Sequence, residues 1–389
     1  MSFLFTHVTV VRIGGNQSPS TAGTGGMFST VDSGDHLESG AQANPAPNSS
    51  RPSGWGSAGD ANLSRMIDPG VAVFPQAQPS GYVPHRLHSP ERAWPQTNCY
   101  VDLWIEALWS LGVAPEAMLG FTLTQDFEGD QFTFFKVPLE DLERLYGVVV
   151  TELALYDTVE AHVLTQLGRG RLCLVEMDSF YLPDTAGVTY GIEHGKTTVG
   201  INRLDPVAKT MEYFHNDSYF ALSGADYEGV FQHATEFGLR WIPYTEFAKL
   251  PDVLPSEDAQ RGVARDLLSQ HLTRRPQTNP LATFHAAFPT QVEHVAERGL
   301  DFFHLYAFNT VRQFGANFEL LSSHLTWLDA AEFAEEAAAA KTICDNAKTT
   351  QFTLARAVAR RRFDSLATAL EPSVAAWEAI MTGLTSKVG

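Results

Sequence analysis

The sequence is poor in cysteine, poor in positive charge and empty of long apolar runs. Its 389 residues hold three cysteines, Cys99, Cys173 and Cys344, far apart and odd in number. No disulfide framework and no zinc-ligand spacing can be assembled from them, a usage that suits a reducing compartment. Only 27 lysines and arginines stand against 45 acidic residues, a formal charge of −18. Such a surface repels a phosphate backbone, which excludes nucleic acid unless positive charge is gathered locally. No stretch is apolar over a bilayer's thickness. Met1 to Ile13, interrupted by His7, lack the basic lead and apolar run of a secretory signal. Val11-Arg12-Ile13-Gly14-Gly15 makes no nucleotide fingerprint, and no phosphate loop occurs elsewhere. The expectation is a cytoplasmic protein with no membrane or nucleic-acid partner, no metal and no cofactor.

Material for a core is also scarce between Gly14 and about Asn62, where Gly, Ser, Ala, Pro, Asn and Thr dominate. Such a segment cannot bury enough apolar surface to offset its ordering entropy. Residues 1–63 are therefore expected to form a disordered or loosely laid arm. The chain as a whole is 44% hydrophobic and 11% aromatic, enough to build a packed body from the residues beyond that arm.

What is present is organised around Gln96-Thr97-Asn98-Cys99-Tyr100-Val101-Asp102-Leu103-Trp104. Leu103, Trp104, Ala107, Leu108 and Leu111 recur at helical spacing, so this stretch predicts an amphipathic helix with Cys99 in its first turn. Thr97 or Asn98 is its expected N-cap. A thiol at that place faces unpaired amides and the positive end of the helix dipole, which favour the thiolate. Cys99 is thus a candidate nucleophile; the alternative is a buried packing cysteine.

Further along, Phe132 to Phe135, Val148 to Leu155 and Leu172 to Met177 read as strands. Pro138 to Tyr146 and Thr158 to Leu167 read as helices ended by glycine. Lys196 to Leu204 and Thr210 to His215 read as paired strands joined at Asp205-Pro206. Residues 64–228 therefore predict an α+β domain. Ala259 to Leu272, Gln291 to Phe318, Ala330 to Cys344, Thr350 to Phe363 and Ser373 to Leu384 carry helical periodicity or composition. Residues 229–389 predict a helical domain.

A cysteine nucleophile needs a base, and the base needs an orienting partner. His194 precedes one strand of the expected pair, and Asn216-Asp217 follow the other. Antiparallel pairing brings those ends to one sheet edge. The order Cys99, His194, Asn216 is that of a papain-like enzyme, with Asp217 the alternative third member. His194 as an ordinary loop histidine is the competing reading.

Asn98-Cys99-Tyr100-Val101-Asp102-Leu103-Trp104-Ile105-Glu106, Asp126-Phe127-Glu128-Gly129-Asp130-Gln131, His194-Gly195-Lys196-Thr197-Thr198, Tyr213-Phe214-His215-Asn216 and Arg312-Gln313-Phe314-Gly315-Ala316-Asn317-Phe318-Glu319 together resemble the bacterial family called domain of unknown function 1839. The likeness runs from about His85 past Leu328. More distantly, the order of a cysteine helix and a histidine strand resembles the N-terminal domain family of butirosin biosynthesis protein H, papain-like acyltransferases of secondary metabolism. That second resemblance implies a thioester on Cys99, taken from an acyl or aminoacyl carrier protein and passed to a small-molecule amine, with His194 as base and Asn216 orienting it. It implies an oxyanion donor among the Cys99 N–H, Asn98 and Gln96. The papain pattern places glutamine six residues before its cysteine, and here that position is Ala93. Hydrolysis of an amide or thioester is the rival chemistry, and a non-catalytic scaffold the rival class.

Several further groups have two readings each. Asp126, Glu128 and Asp130 could bind a cation or cap a turn; His85 and His88 could share a metal or sit in a loop. Tyr181 and Asp184 are placed as acyl-pocket residues or as plain loop positions. Phe302, Phe303, Tyr306, Phe308, Phe314 and Phe318 predict core packing, or a substrate lid with Asn309, Arg312 and Asn317 as its polar lining. Arg356, Arg360, Arg361 and Arg362, the densest basic cluster, form a solvated helix face or a dock for an acidic carrier protein.

Overall fold

A computed structural model describes residues 70–233 and 242–389, so the arm expected over residues 1–63 lies outside the described residues. At the centre stands a six-stranded sheet of β1 (Val149–Glu152), β2 (Arg171–Asp178), β3 (Lys196–Asp205), β4 (Thr210–His215), β5 (Ser218–Ser223) and β6 (Thr245–Lys249). Their spatial order is β1-β6-β2-β3-β4-β5, and every neighbouring pair is antiparallel. Strand alternation turns Leu172 and Leu174 of β2 to one face, and Cys173, Val175 and Met177 to the other. Both faces are covered, which is why β2 is apolar on both sides from Leu172 to Val175.

One face carries α1 (Cys99–Leu111). Its start is fixed twice: the Asn98 side chain accepts the Val101 N–H at 3.0 Å, and the Asp102 carboxylate reaches back to accept the Thr97 N–H at 2.7 Å. These are the reciprocal bonds that orphan amides at a helix entrance require. Gly112 at φ 88° ends the helix. Leu103, Trp104, Ile105 and Leu108 are buried, each contributing about 1.5–3 kcal/mol of apolar transfer. Leu103 lies so close to Gly200 of β3 that a Cβ there would meet it at 3.3 Å, so the glycine lets helix and sheet approach. The opposite face carries α3 (Val159–Leu167), after the short helix α2 (Leu139–Tyr146), together with α4 (Ala225–Val230) and the turns between β2 and β3.

Six more helices complete the chain: α5 (Glu257–Thr273), α6 (Pro280–Arg298), α7 (Leu300–Asn309), α8 (Val311–Asp329), α9 (Ala334–Arg360) and α10 (Glu371–Val388). Their core is continuous with the α1 side of the sheet. Glu319 of α8 makes that junction specific by accepting the N–H groups of Ala93 and Trp94, five residues before the cysteine turn. No helix among the described residues is long and apolar enough to cross a membrane.

The α+β class and the helical C-terminal region stand as expected, with corrections of detail. Helical character begins at about 257, not 229, because β6 inserts between β1 and β2. That strand is short and lies between Pro243 and Pro251, so it carried little pattern. Phe132 to Phe135 is an extended wall rather than a strand; its one ladder contact is an isolated bridge from Phe132 to Phe127. Gln291 to Phe318 is interrupted at Gly299 (φ 86°) and at Thr310. Ala330 to Phe363, by contrast, holds one long helix, since nothing near Thr349 breaks it.

Candidate active site

Cys99 opens α1, and its side chain borders a cleft of about 330 Å³ between that helix turn and the sheet. Phe134 and Lys136 form one wall. Leu174 and Glu176 of β2, Lys196 to Thr198 of β3, and Tyr244 and Glu246 at β6 form the floor. Cys99 is partly exposed, whereas Cys173 and Cys344 are buried. Burial pushes the Cys173 thiol far above its ordinary range and lifts that of Cys344 to about 12, so neither supplies a thiolate.

The exposed lining of the cleft is mostly apolar, with a few charged groups set into it. Glu176 accepts from the Lys196 ammonium at 2.6 Å. Glu246, almost wholly buried, accepts the hydroxyls of Tyr100 at 3.0 Å and Tyr244 at 2.8 Å. Lys136 holds its ammonium 3.9 Å from the centre of the Tyr100 ring, a cation–π contact.

Among the described residues no histidine lines this cleft. His194, just before β3, is mostly exposed, with Nδ1 2.6 Å from Asp178 Oδ2 and its ring stacked on Phe180 at 4.4 Å. Asp178 also accepts the N–H groups of Phe180 and Gly195, so this carboxylate fixes the imidazole's approach. Along β2, Asp178 follows Glu176 by one pleat repeat, roughly 7 Å, on the same face. The partner of His194 is therefore Asp178, not Asn216 or Asp217.

Asn216 and Asp217 are the two turn residues of the β4–β5 hairpin, with Asn216 at φ 48°. That is the left-handed conformation in which Asn and Asp are favoured. Asp217 packs against the start of α1 and hydrogen-bonds the Gln96 side chain. Burial, opposed by that bond, raises its carboxyl above the usual range. Asn98 spends both ends of its amide on the fold, since its Nδ2 donates to Phe135 O at 3.0 Å. Neither Gln96 nor Asn98 thus presents a free amide as an oxyanion donor. The Val101 N–H is taken by the Asn98 cap, so the Cys99 and Tyr100 N–H groups at the head of α1 are what the local geometry leaves for that role.

Behind the cysteine turn lies a sealed ionic cluster. His88 is buried, with Nε2 3.3 Å from Asp102 and Nδ1 hydrogen-bonded to Glu106. Burial works against its charge, but the hydrogen bonds and charges of the two carboxylates outweigh it and lift His88 to about 9. His85 instead packs beside Glu116 and Trp109, its Nδ1 accepting the Leu87 N–H. Among the described residues no group of three or more His, Cys, Asp or Glu side chains is arranged to hold a metal ion. Asp126, Glu128 and Asp130 close a turn whose Glu128 and Thr133 amides bond to Gln131 and Asp126 carbonyls.

The remaining expected pocket residues lie elsewhere. Asp184 sits on the other face of the sheet, buried, bonded to Tyr213 Oη and His215 Nδ1, while His215 Nε2 meets Thr197 Oγ1 at 2.7 Å. Tyr181 packs on Gly229 on that same side. Asn317 is buried and donates to Thr122 O; Arg312 is buried over Phe308 and donates to Gln96 O; Asn309 donates to Leu305 O. None of the three lines the cleft, and Phe303, Phe308, Phe314 and Phe318 are buried, so that aromatic stretch packs rather than lids. Arg356, Arg360 and Arg362 converge with Thr353, Asp364 and Ser365 on a hollow of about 380 Å³, while Arg361 caps α9 in the left-handed region.

Sequence reasoning passed over Asp178, Lys136, Glu176, Tyr244 and Glu246. They come from three separate segments and meet only once the sheet pairs, so no spacing along the chain could have joined them.

Two family models match the chain, the DUF1839 N-terminal domain over residues 83–250 and the DUF1839 C-terminal domain over residues 257–386. The chain belongs to the DUF1839 family. The boundary between the two matches falls where the sheet ends and α5 begins. No curated protein matches it.

Proposed function

We propose that this DUF1839 protein is a papain-like cysteine acyltransferase, moving an acyl or aminoacyl group from a carrier-protein thioester to an amine in secondary metabolism. The observation that carries the reading is Cys99. It is the one partly exposed thiol of the three, set in the first turn of a firmly capped helix and bordering a cleft on an antiparallel sheet. The Cys99 sulfur attacks the thioester carbonyl, and the carrier thiol leaves with a proton. The amine nitrogen then attacks the new thioester, an amide forms, and the sulfur is released as its proton is restored.

His194, oriented by Asp178 and with its ring mostly exposed, is the base of this reading in place of a His194–Asn216 pair. The arginine hollow at the end of α9 is the docking surface for an acidic carrier. Hydrolysis arises from the same residues if water reaches the thioester. A second reading, a non-catalytic binding protein that uses the same cleft, is favoured by the absence of any imidazole among the described lining residues.

Intact mass spectrometry after incubation with an acetyl thioester of N-acetylcysteamine separates these readings. An acetyl adduct on Cys99, absent from Cys99→Ala and discharged by added amine as an amide, supports the transferase. Discharge by water at the same rate supports the hydrolase. No adduct supports the binding protein.

A further inference from the structure

The acyl-transfer reading leaves one group in the cleft unused. Glu246 is 1% exposed yet borders the cavity, and its two oxygens each accept one phenol hydroxyl, from Tyr100 and Tyr244. Among the described residues no lysine, arginine or histidine forms an ion pair with its carboxylate. Burial together with the Glu246 charge holds both phenols above their ordinary range, so both remain donors. Each carboxylate oxygen keeps further acceptor capacity. A buried carboxylate held only by neutral donors is costly to keep, and a cation from outside is what would offset that cost.

The same corner already attracts an ammonium. Lys136 holds its Nζ 3.9 Å from the Tyr100 ring centre and 5.8 Å from that of Tyr244, on the ring faces and not on the carboxylate. Aromatic faces beside an unpaired carboxylate are the chemistry that recognises an organic cation.

We infer that this corner binds a primary ammonium group of the substrate, with Glu246 as acceptor and Tyr100 and Tyr244 as the walls. The bound nitrogen is not the nucleophile, because a protonated amine has no lone pair to attack with. It is a handle, carried either by an aminoacyl donor or by an acceptor with a second amine. The role of that handle rests on the acyl-transfer reading, while its binding does not.

Two arms test this. In the first, putrescine and 1,4-butanediol compete with iodoacetamide for Cys99 at constant ionic strength. The diamine should slow labelling at least about threefold where the diol does not, and Glu246→Gln should raise the protecting concentration by about tenfold. In the second, glycyl and acetyl thioesters of N-acetylcysteamine compete to acylate Cys99, and a glycyl preference of about tenfold should vanish in Glu246→Gln. A preference in either arm supports the inference and says which substrate carries the handle. Equality in both, or preferences unchanged in Glu246→Gln, overturns it. Tyr244→Phe, which keeps the ring and removes one donor, is the second variant should Glu246→Gln fold poorly. Acylation by the acetyl thioester alone reports on the catalytic reading, so the two failures are distinguishable.

Discussion

The sheet is flanked by two cysteines and two histidine–aspartate pairs, and the fold treats the members of each set in opposite ways. On the α3 side, Cys173 is buried, and His215 is held by Asp184 and Thr197 with no exposed atom to offer. On the α1 side, Cys99 meets solvent through a cleft, while before β3 His194 is held by Asp178 with its ring exposed. Hydrogen bonding is as good in the first pair as in the second, so geometry alone does not mark a candidate site. Burial does: the same residue types serve packing when every polar group is satisfied inside, and are open to chemistry when one edge is left to solvent.

The comparison is broken most severely by removing the carboxylate from each pair. Asp184→Ala leaves both His215 and Tyr213 without their buried acceptor, and should cost about 3 kcal/mol or more in urea unfolding. Asp178→Ala, in the partly exposed pair, should cost under about 1 kcal/mol. Similar losses at the two positions would erase the distinction.

Next comes pH. His88 is raised above its unfolded value, so its contribution is fully present below about pH 6.5 and is lost as pH climbs through about 9. Unfolding midpoints should therefore fall between pH 7 and 9, by up to about 3 kcal/mol, and His88→Gln should flatten that slope. A midpoint that holds steady across the window in the wild type would place the charge elsewhere.

Glu319→Ala, which frees the Ala93 and Trp94 amides from α8, should cost about 2 kcal/mol. It should also loosen the cleft side, read as faster amide exchange before Cys99 with the β3–β4 hairpin unchanged. Smallest in stability is His194→Ala, expected to stay within about 0.5 kcal/mol of wild type. Discharge of an acyl-Cys99 to amine should nevertheless slow by about a hundredfold. Unaltered discharge would remove His194 from the mechanism.

Much of this arrangement was legible in the chain, and the failures have physical causes. The Cys99 helix announced itself through apolar period and cap, and the pair of strands from Lys196 and Thr210 through alternation around Asp205-Pro206. Asn216 and Asp217 misled because the residue types that orient an imidazole are also those that turn a hairpin, and here they turn one, leading into β5. Asp178 was legible only as the residue after a strand. Its bond to His194 depends on β2 lying beside β3, which no local pattern states. Asp184 looked like a pocket residue because it lies in the loop before His194, and Arg312 because it is polar in an aromatic stretch; both proved to be satisfied inside a core. The cleft itself, assembled from a helix turn, an extended wall and three strands, has no signature along the sequence.

Native alkylation compares the two faces most directly. With limiting iodoacetamide and peptide mapping, Cys99 should label at least about a hundredfold faster than Cys173 or Cys344, which should label only on unfolding. Equal sluggishness at all three cysteines would contradict a reactive thiol in the cleft.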